Sequence, residues 1–211
     1  MKNETTTLLE TFNGYKNVTD KPETVEVDMA TYISVPGHGS FTEQIFYSRI
    51  SALFEVANAL QELFASSEKS YEGAILECLY WYDEKKHGFI GISEIWSKVS
   101  LDELNYRLLI RVPEFITVTD VEKVKKDLNT EYKEIVAKVE LFEMQEGKYV
   151  QALHEGPFEN EEYSLNLIEK YVETQGLVKN GYHHEIYLVN FTKEKNKNKY
   201  RTILREQVKS K

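Results

Sequence analysis

The sequence predicts an α+β fold, a tandem repeat of two strand-helix-strand-strand modules that form a central ligand cleft. Apolar residues recur at helical spacing in three long stretches, and shorter stretches alternate apolar and polar residues as strands do. This order of elements occurs twice, each time with a Pro-Gly or Gly-Pro turn between the first strand and the helix. The 211 residues, 41% hydrophobic and 29% charged, have the composition of an ordinary globular protein.

The first module is predicted at about residues 24–118. Its three strands are expected at residues 25–35, 75–82 and 104–112. A turn at residues 36–40 and a long helix at residues 41–65 lie between the first and the second of these strands. Ser40 stands where a side chain can cap the helix that follows. A charged connection that contains Trp96 joins the last two strands.

The second module is predicted at about residues 138–211, after a connecting helix at residues 119–138. Its four strands are expected at residues 139–144, 148–155, 183–189 and 199–205. A turn at residues 156–157 and a helix at residues 159–175 lie between the second and the third of these strands. Gly176 ends the helix, as glycine often does at that position. Both modules belong to one domain over residues 1–211, and the residues up to Lys21 form a short strand or a loosely docked arm.

The strand at residues 183–189 carries the leading candidate for function. Because side chains alternate along a strand, His183, Glu185 and Tyr187 share one face. A carboxylate in an apolar run is costly to bury unless it has a partner or a role. An exposed glutamate on an edge strand is the simpler interpretation and stays open.

Glu77 is a second carboxylate among apolar neighbours, on the strand that follows the first helix. The repeat makes it the predicted counterpart of Glu185, and duplicated modules often place a ligand cleft on the axis between them. Two carboxylates that face one cleft raise each other's pKa. A chance coincidence also stays open, since many strands carry one glutamate.

Charge and cysteine content exclude several classes of protein. A net charge of −9 argues against direct binding of nucleic acid. The N-terminus lacks a signal-peptide pattern and no apolar run reaches membrane-spanning length, so we expect a cytoplasmic protein without a membrane partner. Cys78 is the one cysteine, so no intrachain disulfide is expected. His183 and His184 point to opposite faces of their strand and have no third ligand at useful spacing, so neither a metal nor a cofactor is predicted.

Aromatic residues make up 12% of the chain. Such rings suit a pocket for a planar, partly apolar ligand, although a tyrosine-rich core would have the same composition.

Several pieces of the chain resemble the stand-alone branch of the GyrI-like small-molecule-binding proteins. The most specific are His184-Glu185-Ile186-Tyr187-Leu188 and Thr202-Ile203-Leu204-Arg205. Further similar pieces lie at residues 32–39, 76–81 and 153–158, so the resemblance covers nearly all of the chain after Pro22. The chain departs from the family pattern at Cys78 and Tyr80, where the family usually has glycine and tryptophan.

The resemblance implies two modules that face each other across a cleft, as in the effector-binding part of multidrug-responsive transcription activators and in gyrase-inhibitor proteins. In those proteins a central glutamate, at the place of Glu185, meets cationic aromatic ligands. The resemblance further implies that some stand-alone members are hydrolases. They open the cyclopropane of DNA-alkylating natural products of the yatakemycin and duocarmycin class and so protect the cell.

This activity assigns roles to individual residues. Glu185 is expected to activate or orient water, with Glu77 as the second carboxylate and Tyr149 or Tyr187 as the polar partner. The residues expected to contact the aromatic ligand are Tyr187, Trp81, Trp96, His183 and Tyr32.

Two other classes of function stay open. One is a non-catalytic module that binds cationic aromatic drugs, with the carboxylates as counter-charges. The other is an interaction protein whose acidic surface mimics nucleic acid toward gyrase. If the protein is a hydrolase or a drug-binding module, its expected partner is a small aromatic molecule.

Overall fold

A computed structural model describes residues 6–7 and 13–211, with side chains from residue 14 onward. Its strands are β1 Thr6–Thr7, β2 Glu23–Val27, β3 Ala30–His38, β4 Tyr71–Glu72, β5 Leu76–Trp81, β6 Asn105–Arg111, β7 Glu140–Met144, β8 Gly147–Glu155, β9 Leu177–Tyr187 and β10 Arg201–Ser210. Its helices are α1 Gln44–Phe64, α2 Glu84–His87, α3 Ile95–Lys98, α4 Val118–Asp127, α5 Lys133–Val136 and α6 Glu161–Thr174.

Eight of these strands form one sheet in the order β2-β8-β10-β9-β5-β6-β3-β7. Every neighbouring pair in this sheet is antiparallel. The two-residue strands β1 and β4 form a separate parallel pair. The described part of the chain contains no helix with both the length and the hydropathy of a membrane span.

The strand order has a pseudo-two-fold axis between β5 and β9. Moving outward from this axis, β5, β6, β3 and β7 in one half correspond to β9, β10, β8 and β2 in the other. The outermost strands cross over, because β2 precedes β3 but pairs with β8, and β7 precedes β8 but pairs with β3. This arrangement confirms the predicted α+β tandem repeat of strand-helix-strand-strand modules.

The helices α1 and α6 pack on one face of the sheet, which we call the helix face. Along α1 the buried residues recur at helical spacing, and the helix packs on strands β3 and β6. The buried residues are Phe46, Ile50, Ala52, Leu53, Val56, Ala57 and Leu60. Burying each large side chain contributes roughly 1.5–3 kcal/mol. The helix therefore exists for its amphipathic face, as the spacing predicted.

The opposite face of the sheet, which we call the arm face, is covered in part by residues just before β2. Tyr15 and Val18 pack there against Leu153, Ile186 and Ile203. The strands at the centre of the sheet are therefore buried on both faces, which explains their long apolar runs.

Two glycines allow the equivalent turns that lead from the first strand of each module to its helix. Gly39 and Gly156 have φ angles of 99° and 121°, in the region that side chains disfavour. Gly37 is small for another reason, since a Cβ there would lie 2.2 Å from the ring of Tyr106.

Two predicted elements are each divided in the structure. The strand predicted at residues 25–35 is two strands, β2 and β3, separated at residues 28–29 so that they pair with different modules. The helix predicted at residues 119–138 is α4 followed by the single turn α5. Helix α4 begins with a capping box between Thr117 and Asp120, with Oγ1 of Thr117 accepting from the Asp120 amide at 3.2 Å.

Candidate functional site

A cavity of about 690 Å³ lies on the helix face at the pseudo-two-fold axis. The central strands form its floor, through Tyr80 on β5 and Glu185 and Tyr187 on β9. The residues at and just before the first turns of α1 and α6 form two walls, and α3 adds Trp96. The cleft predicted between the modules is therefore present.

The cavity lining is mainly aromatic and acidic. Among the described residues, nine aromatic side chains line it: Phe41, Phe46, Tyr47, Tyr80, Trp96, Phe158, Tyr187, Phe191 and Tyr200. Four glutamates and one lysine also line it, and the lysine, Lys197, forms an ion pair with Glu159. The lining therefore suits a flat, apolar molecule with either a positive charge or a group that accepts protons.

Glu185 is 5% exposed, and each of its carboxylate oxygens accepts a hydrogen bond from a side chain on its own strand. Oε1 lies 3.1 Å from Nε2 of His183, and Oε2 accepts from the Tyr187 hydroxyl at 2.7 Å. Because all three side chains alternate onto the helix face, the strand alone sets this geometry. The carboxylate is held in one orientation at the cavity floor.

His183 lies behind Glu185 and does not line the cavity. Its Nδ1 is 2.5 Å from Oε1 of Glu206, so the ring bridges two carboxylates. Burial lowers the pKa of His183, but the charge of Glu206 and the hydrogen bonds with Glu185 and Glu206 outweigh it and raise that pKa to about 9. The ring is therefore an imidazolium at neutral pH.

Glu161 is a second carboxyl group in the cavity wall, in the first turn of α6. It is 5% exposed, and its Oε1 has no hydrogen-bond partner among the described residues. Burial, together with the charges of Glu185 and Glu159, raises the pKa of Glu161 well above its usual value. Glu161 and Glu185 thus face one cavity, and the environment of Glu161 favours its protonated form.

Tyr80 and Tyr187 meet across the axis. If Gly39 is taken as the counterpart of Gly156, the ladder from β3 through β6 to β5 makes Tyr80 the counterpart of Tyr187. Their hydroxyl oxygens are 3.1 Å apart, and because Tyr187 donates to Glu185, Tyr80 is the donor to Tyr187. Burial raises the pKa of both hydroxyls, so both remain donors at neutral pH.

Trp96 reaches the cavity from the connection between β5 and β6. Its ring lies edge-on to Tyr80 at 5.2 Å and to Phe41 at 5.9 Å between centroids. Helix α6 anchors this connection, since the Glu169 carboxylate accepts from the Ile92 amide at 3.0 Å and from the Ser93 hydroxyl at 2.5 Å.

Of the predicted site residues, Glu185, Tyr187 and Trp96 line the cavity, and His183 supports Glu185 from behind. The other four lie on the arm face, across the sheet from the cavity. Tyr32 is buried against Leu109 and Met144, and the ring of Tyr149 lies 5.9 Å from the guanidinium of Arg205.

Glu77 and Trp81 also lie on the arm face. Glu77 accepts from the Tyr15 hydroxyl and lies 2.8 Å from Nε2 of His184. Burial lowers the pKa of His184, so its neutral ring donates to Glu77. The ring of Trp81 stacks on that of Tyr182, with 4.7 Å between the two ring centroids.

The prediction that Glu77 and Glu185 face one cleft is therefore wrong, and strand register is the reason. Cys78, not Glu77, pairs directly with Glu185, while Glu77 pairs with Ile186. The ladder makes Cys78 the counterpart of Glu185 and His184 that of Glu77. A shift of one residue turns a side chain to the other face of a sheet.

The sequence interpretation missed Glu161 and Tyr80 as cavity residues. A signal for Glu161 exists in its position, because a glutamate in the first turn of a helix that follows a Gly-Pro turn lies at the end of the helix nearest the axis. Tyr80 could have been found by aligning Gly39 with Gly156. Among the described residues, no group of three or more His, Cys, Asp or Glu side chains is arranged to hold a metal ion.

The arrangement can do two kinds of chemistry. Two carboxyl groups in one cavity, one of which is held toward its protonated form, can take a proton from water and give one to a ligand oxygen. The same carboxylates, with aromatic walls, can also hold a cation without reacting.

Comparison with known proteins identifies the fold and the family. Residues 21–205 match the GyrI-like small molecule binding domain family. An uncharacterized conserved protein and a hydrolase, both from Listeria innocua, have solved structures similar to this chain. They are 23% and 22% identical to it, with TM-scores of 0.81 and 0.79, and each comparison covers 97% of this chain and 100% of the other.

A more distant structure, the EcmrR C-terminal domain, is 13% identical with a TM-score of 0.56, over 90% of this chain and 98% of that domain. No curated protein matches the sequence. The family match spans most of the chain and agrees with the two-module sheet and its axial cavity. The chain belongs to the family of GyrI-like small molecule binding domains.

Proposed function

We propose that the protein hydrolyses the cyclopropane ring of planar aromatic compounds that alkylate DNA. The observation that carries this proposal is that two carboxyl groups, Glu185 and Glu161, line one aromatic cavity in which burial favours the protonated form of Glu161. Glu77 and Tyr149, predicted for the same reaction, lie across the sheet and have no role in it here. Tyr187 and Tyr80 supply the polar hydroxyls, and Trp96 with the surrounding rings supplies the wall for a flat substrate.

The reaction is addition of water to a strained carbon conjugated with a ring carbonyl. Glu185 takes a proton from water as the water oxygen bonds to the cyclopropane methylene carbon. The ring C–C bond breaks, its electron pair moves into the conjugated carbonyl, and the oxygen takes a proton from Glu161. The product is a phenol with a new hydroxymethyl group, heavier than the substrate by one water. Each proton transfer contributes about 10²–10⁴-fold to the rate.

Two further observations support a hydrolase. His183 and Tyr187 hold Glu185 in one orientation, so less conformational entropy is lost when the reactive geometry is reached. One of the proteins from Listeria innocua that has this fold is described as a hydrolase. The likeness at 22% identity is one of fold, so the chemistry rests on the cavity of this chain.

A mass-spectrometric time course with a cyclopropane-bearing planar alkylator tests the proposal. Wild type is expected to form the product that is one water heavier. Glu185→Gln and Glu161→Gln are expected to lose about 10²–10⁴-fold in turnover while substrate still quenches tryptophan fluorescence. Glu173→Gln changes an exposed residue on the same helix as Glu161. It is the matched control for Glu161→Gln and should turn over substrate at the wild-type rate. Wild-type turnover by Glu185→Gln would exclude Glu185 as the base.

A second function is favoured by the excess of acid in the lining. Four glutamates against one paired lysine suit a cationic aromatic ligand that is bound and not changed. In that case the alkylator yields no product, and a cationic aromatic dye binds more tightly than its neutral isostere. The preference should weaken in Glu185→Gln and at high salt.

A further inference from the structure

Four charged side chains form a row that begins at the cavity floor and passes into the protein. Glu185 contacts His183, His183 contacts Glu206 on the neighbouring strand β10, and Oε2 of Glu206 lies 3.5 Å from Nζ of Lys179. The side chains are 6%, 1%, 0% and 7% exposed in that order. Lys179 reaches a second, smaller depression beside Tyr82 and Tyr182.

The charges in this row alternate in sign. With His183 protonated, two carboxylates and two cations are interleaved, and the row is neutral as a whole. Removing one member would leave an uncompensated buried charge, which is strongly unfavourable. The pairing of β9 with β10 is irregular between Glu206 and Val208, the residue that pairs with Lys179, so the strands depart from a regular ladder beside this row.

Glu206 is fully buried behind His183 and does not line the cavity. Replacing a buried ion pair by apolar residues of similar volume is often neutral or stabilising, so packing alone does not account for the charge of Glu206. Its contact with Nδ1 leaves Nε2 of His183 to donate to Glu185. The placement therefore serves the orientation and charge of the residue in front of it.

We propose that Glu206 is a positioning residue that keeps His183 protonated and thereby fixes Glu185 as an oriented carboxylate in the cavity. Lys179 offsets the charge of Glu206 from the other side. The inference deepens the proposed hydrolase function and, as far as turnover is concerned, rests on it. The geometry of the row stands without it.

Two rings and one further histidine also lie near His183. From β5, the Tyr80 ring lies 6.3 Å from the imidazole, and from α3, Trp96 lies edge-on at 5.6 Å. From β9 itself, His184 points to the arm face and is neutral. Glu206 and Glu185 are thus the charges that act most strongly on His183, in agreement with its raised pKa.

The test is an NMR titration of histidine-labelled full-length protein, with His183→Gln to identify the signal among the five histidines. In wild type, His183 is expected to lose its proton near pH 9. In Glu206→Gln, which keeps an oxygen but removes the charge, we expect the proton to be lost about 2 pH units lower. Glu206→Asp keeps the charge and should retain most of the wild-type behaviour.

The same samples are assayed for hydrolysis across pH. At about pH 8.5, turnover by Glu206→Gln is expected to be about 20-fold below wild type and to recover toward about pH 6, because the protonated fraction of His183 changes by that factor. A merely structural role for Glu206 would lower turnover equally at every pH.

Each outcome decides the inference. Loss of the His183 proton at or below its ordinary pKa in wild type would overturn it, even if Glu206→Gln failed to fold. An unchanged titration in Glu206→Gln, or a changed titration with an unchanged pH profile, would also overturn it. If wild type formed no product at all, the proposed hydrolase function would fail, and the titration would still decide whether Glu206 holds the charge of His183.

Discussion

His183 carries a positive charge in a place where burial alone would remove it. Its pKa of about 9 in the folded protein exceeds the ordinary value of 6.5. Because of the two flanking carboxylates, His183 binds its proton more tightly in the folded protein than in the unfolded chain. This protonation stabilises the fold, and the stabilisation depends on pH.

The first prediction is that stability falls as the pH rises from about 6.5 to about 9.5. A raised pKa in the folded state gives stabilisation that is fully present below 6.5 and is lost as the pH passes 9. The contribution of His183 is roughly 3 kcal/mol by linkage. Denaturant unfolding at a series of pH values measures it. His38→Gln, at an exposed histidine, should have the same slope as wild type, and a flat wild-type curve would contradict the prediction.

The second prediction concerns Glu161, whose buried carboxyl is unfavourable to ionise. Because its pKa is raised in the folded state, its contribution to stability is greatest at low pH and is lost as the pH rises above the ordinary value. Glu161→Gln should therefore raise the free energy of unfolding at neutral pH by about 0.5–2 kcal/mol while it lowers turnover by about 10²–10⁴-fold. Glu173→Gln should change neither quantity. A destabilised Glu161→Gln would show that the carboxylate has a favourable partner.

At the residue scale, the sequence was informative about Glu185 and misleading about Glu77. Both are glutamates in apolar strands, and alternation alone correctly grouped His183, Glu185 and Tyr187 on one face. Which face of the sheet meets the helices depends on register between strands distant in sequence, and no local pattern fixes it. Glu161 was missed because its burial comes from packing over the axis, while its helix reads as an ordinary surface helix.

Among the elements, the connection between β5 and β6 does most to distinguish the two modules. It carries Trp96 into the cavity, and α6 of the other module holds it through Glu169. The counterpart connection, between β9 and β10, instead contributes Phe191, Lys197 and Tyr200. Helices and strands of both modules were predicted by periodicity, but these connections have little periodicity, so their positions could not be inferred.

The third prediction tests this anchor. Glu169→Ala removes the acceptor for Ile92 and Ser93 and should lower the free energy of unfolding by about 1.5–3 kcal/mol, since hydrogen bonds to a charged group are lost. Trp96 should become more accessible to a fluorescence quencher, and aromatic ligands should bind less tightly. Glu173→Ala removes an exposed glutamate from the same helix and controls for helix propensity. Unchanged quenching in Glu169→Ala would mean that Trp96 is held by its ring contacts alone.

On the scale of the whole molecule, the exchange of outer strands joins the two halves into one sheet. Strand β2 precedes β3 and pairs with β8, and β7 pairs with β3 before the chain enters β8. The centre is closed by β5 and β9, where the Tyr80–Tyr187 and Glu77–His184 contacts cross the axis on opposite faces. Neither half can therefore unfold without exposing strand edges of the other.

The fourth prediction is that the chain unfolds as one cooperative unit although its sequence repeats. Amide hydrogen exchange under native conditions should give β3, β6, β8 and β10 the same free energy of opening, within about 1 kcal/mol, because each half needs the other to pair its edge strands. Tryptophan fluorescence reports the first module, in which Trp81 and Trp96 lie, together with their ring contacts to β9. Its unfolding transition should nevertheless coincide with that of far-ultraviolet circular dichroism, which reports both halves.

Opening of β8 and β10 several kcal/mol below β3 and β6 would mean that the halves are separable, and the cavity would then lie between two mobile bodies. A single transition would instead mean that the cavity floor is as rigid as the sheet, as an oriented Glu185 requires.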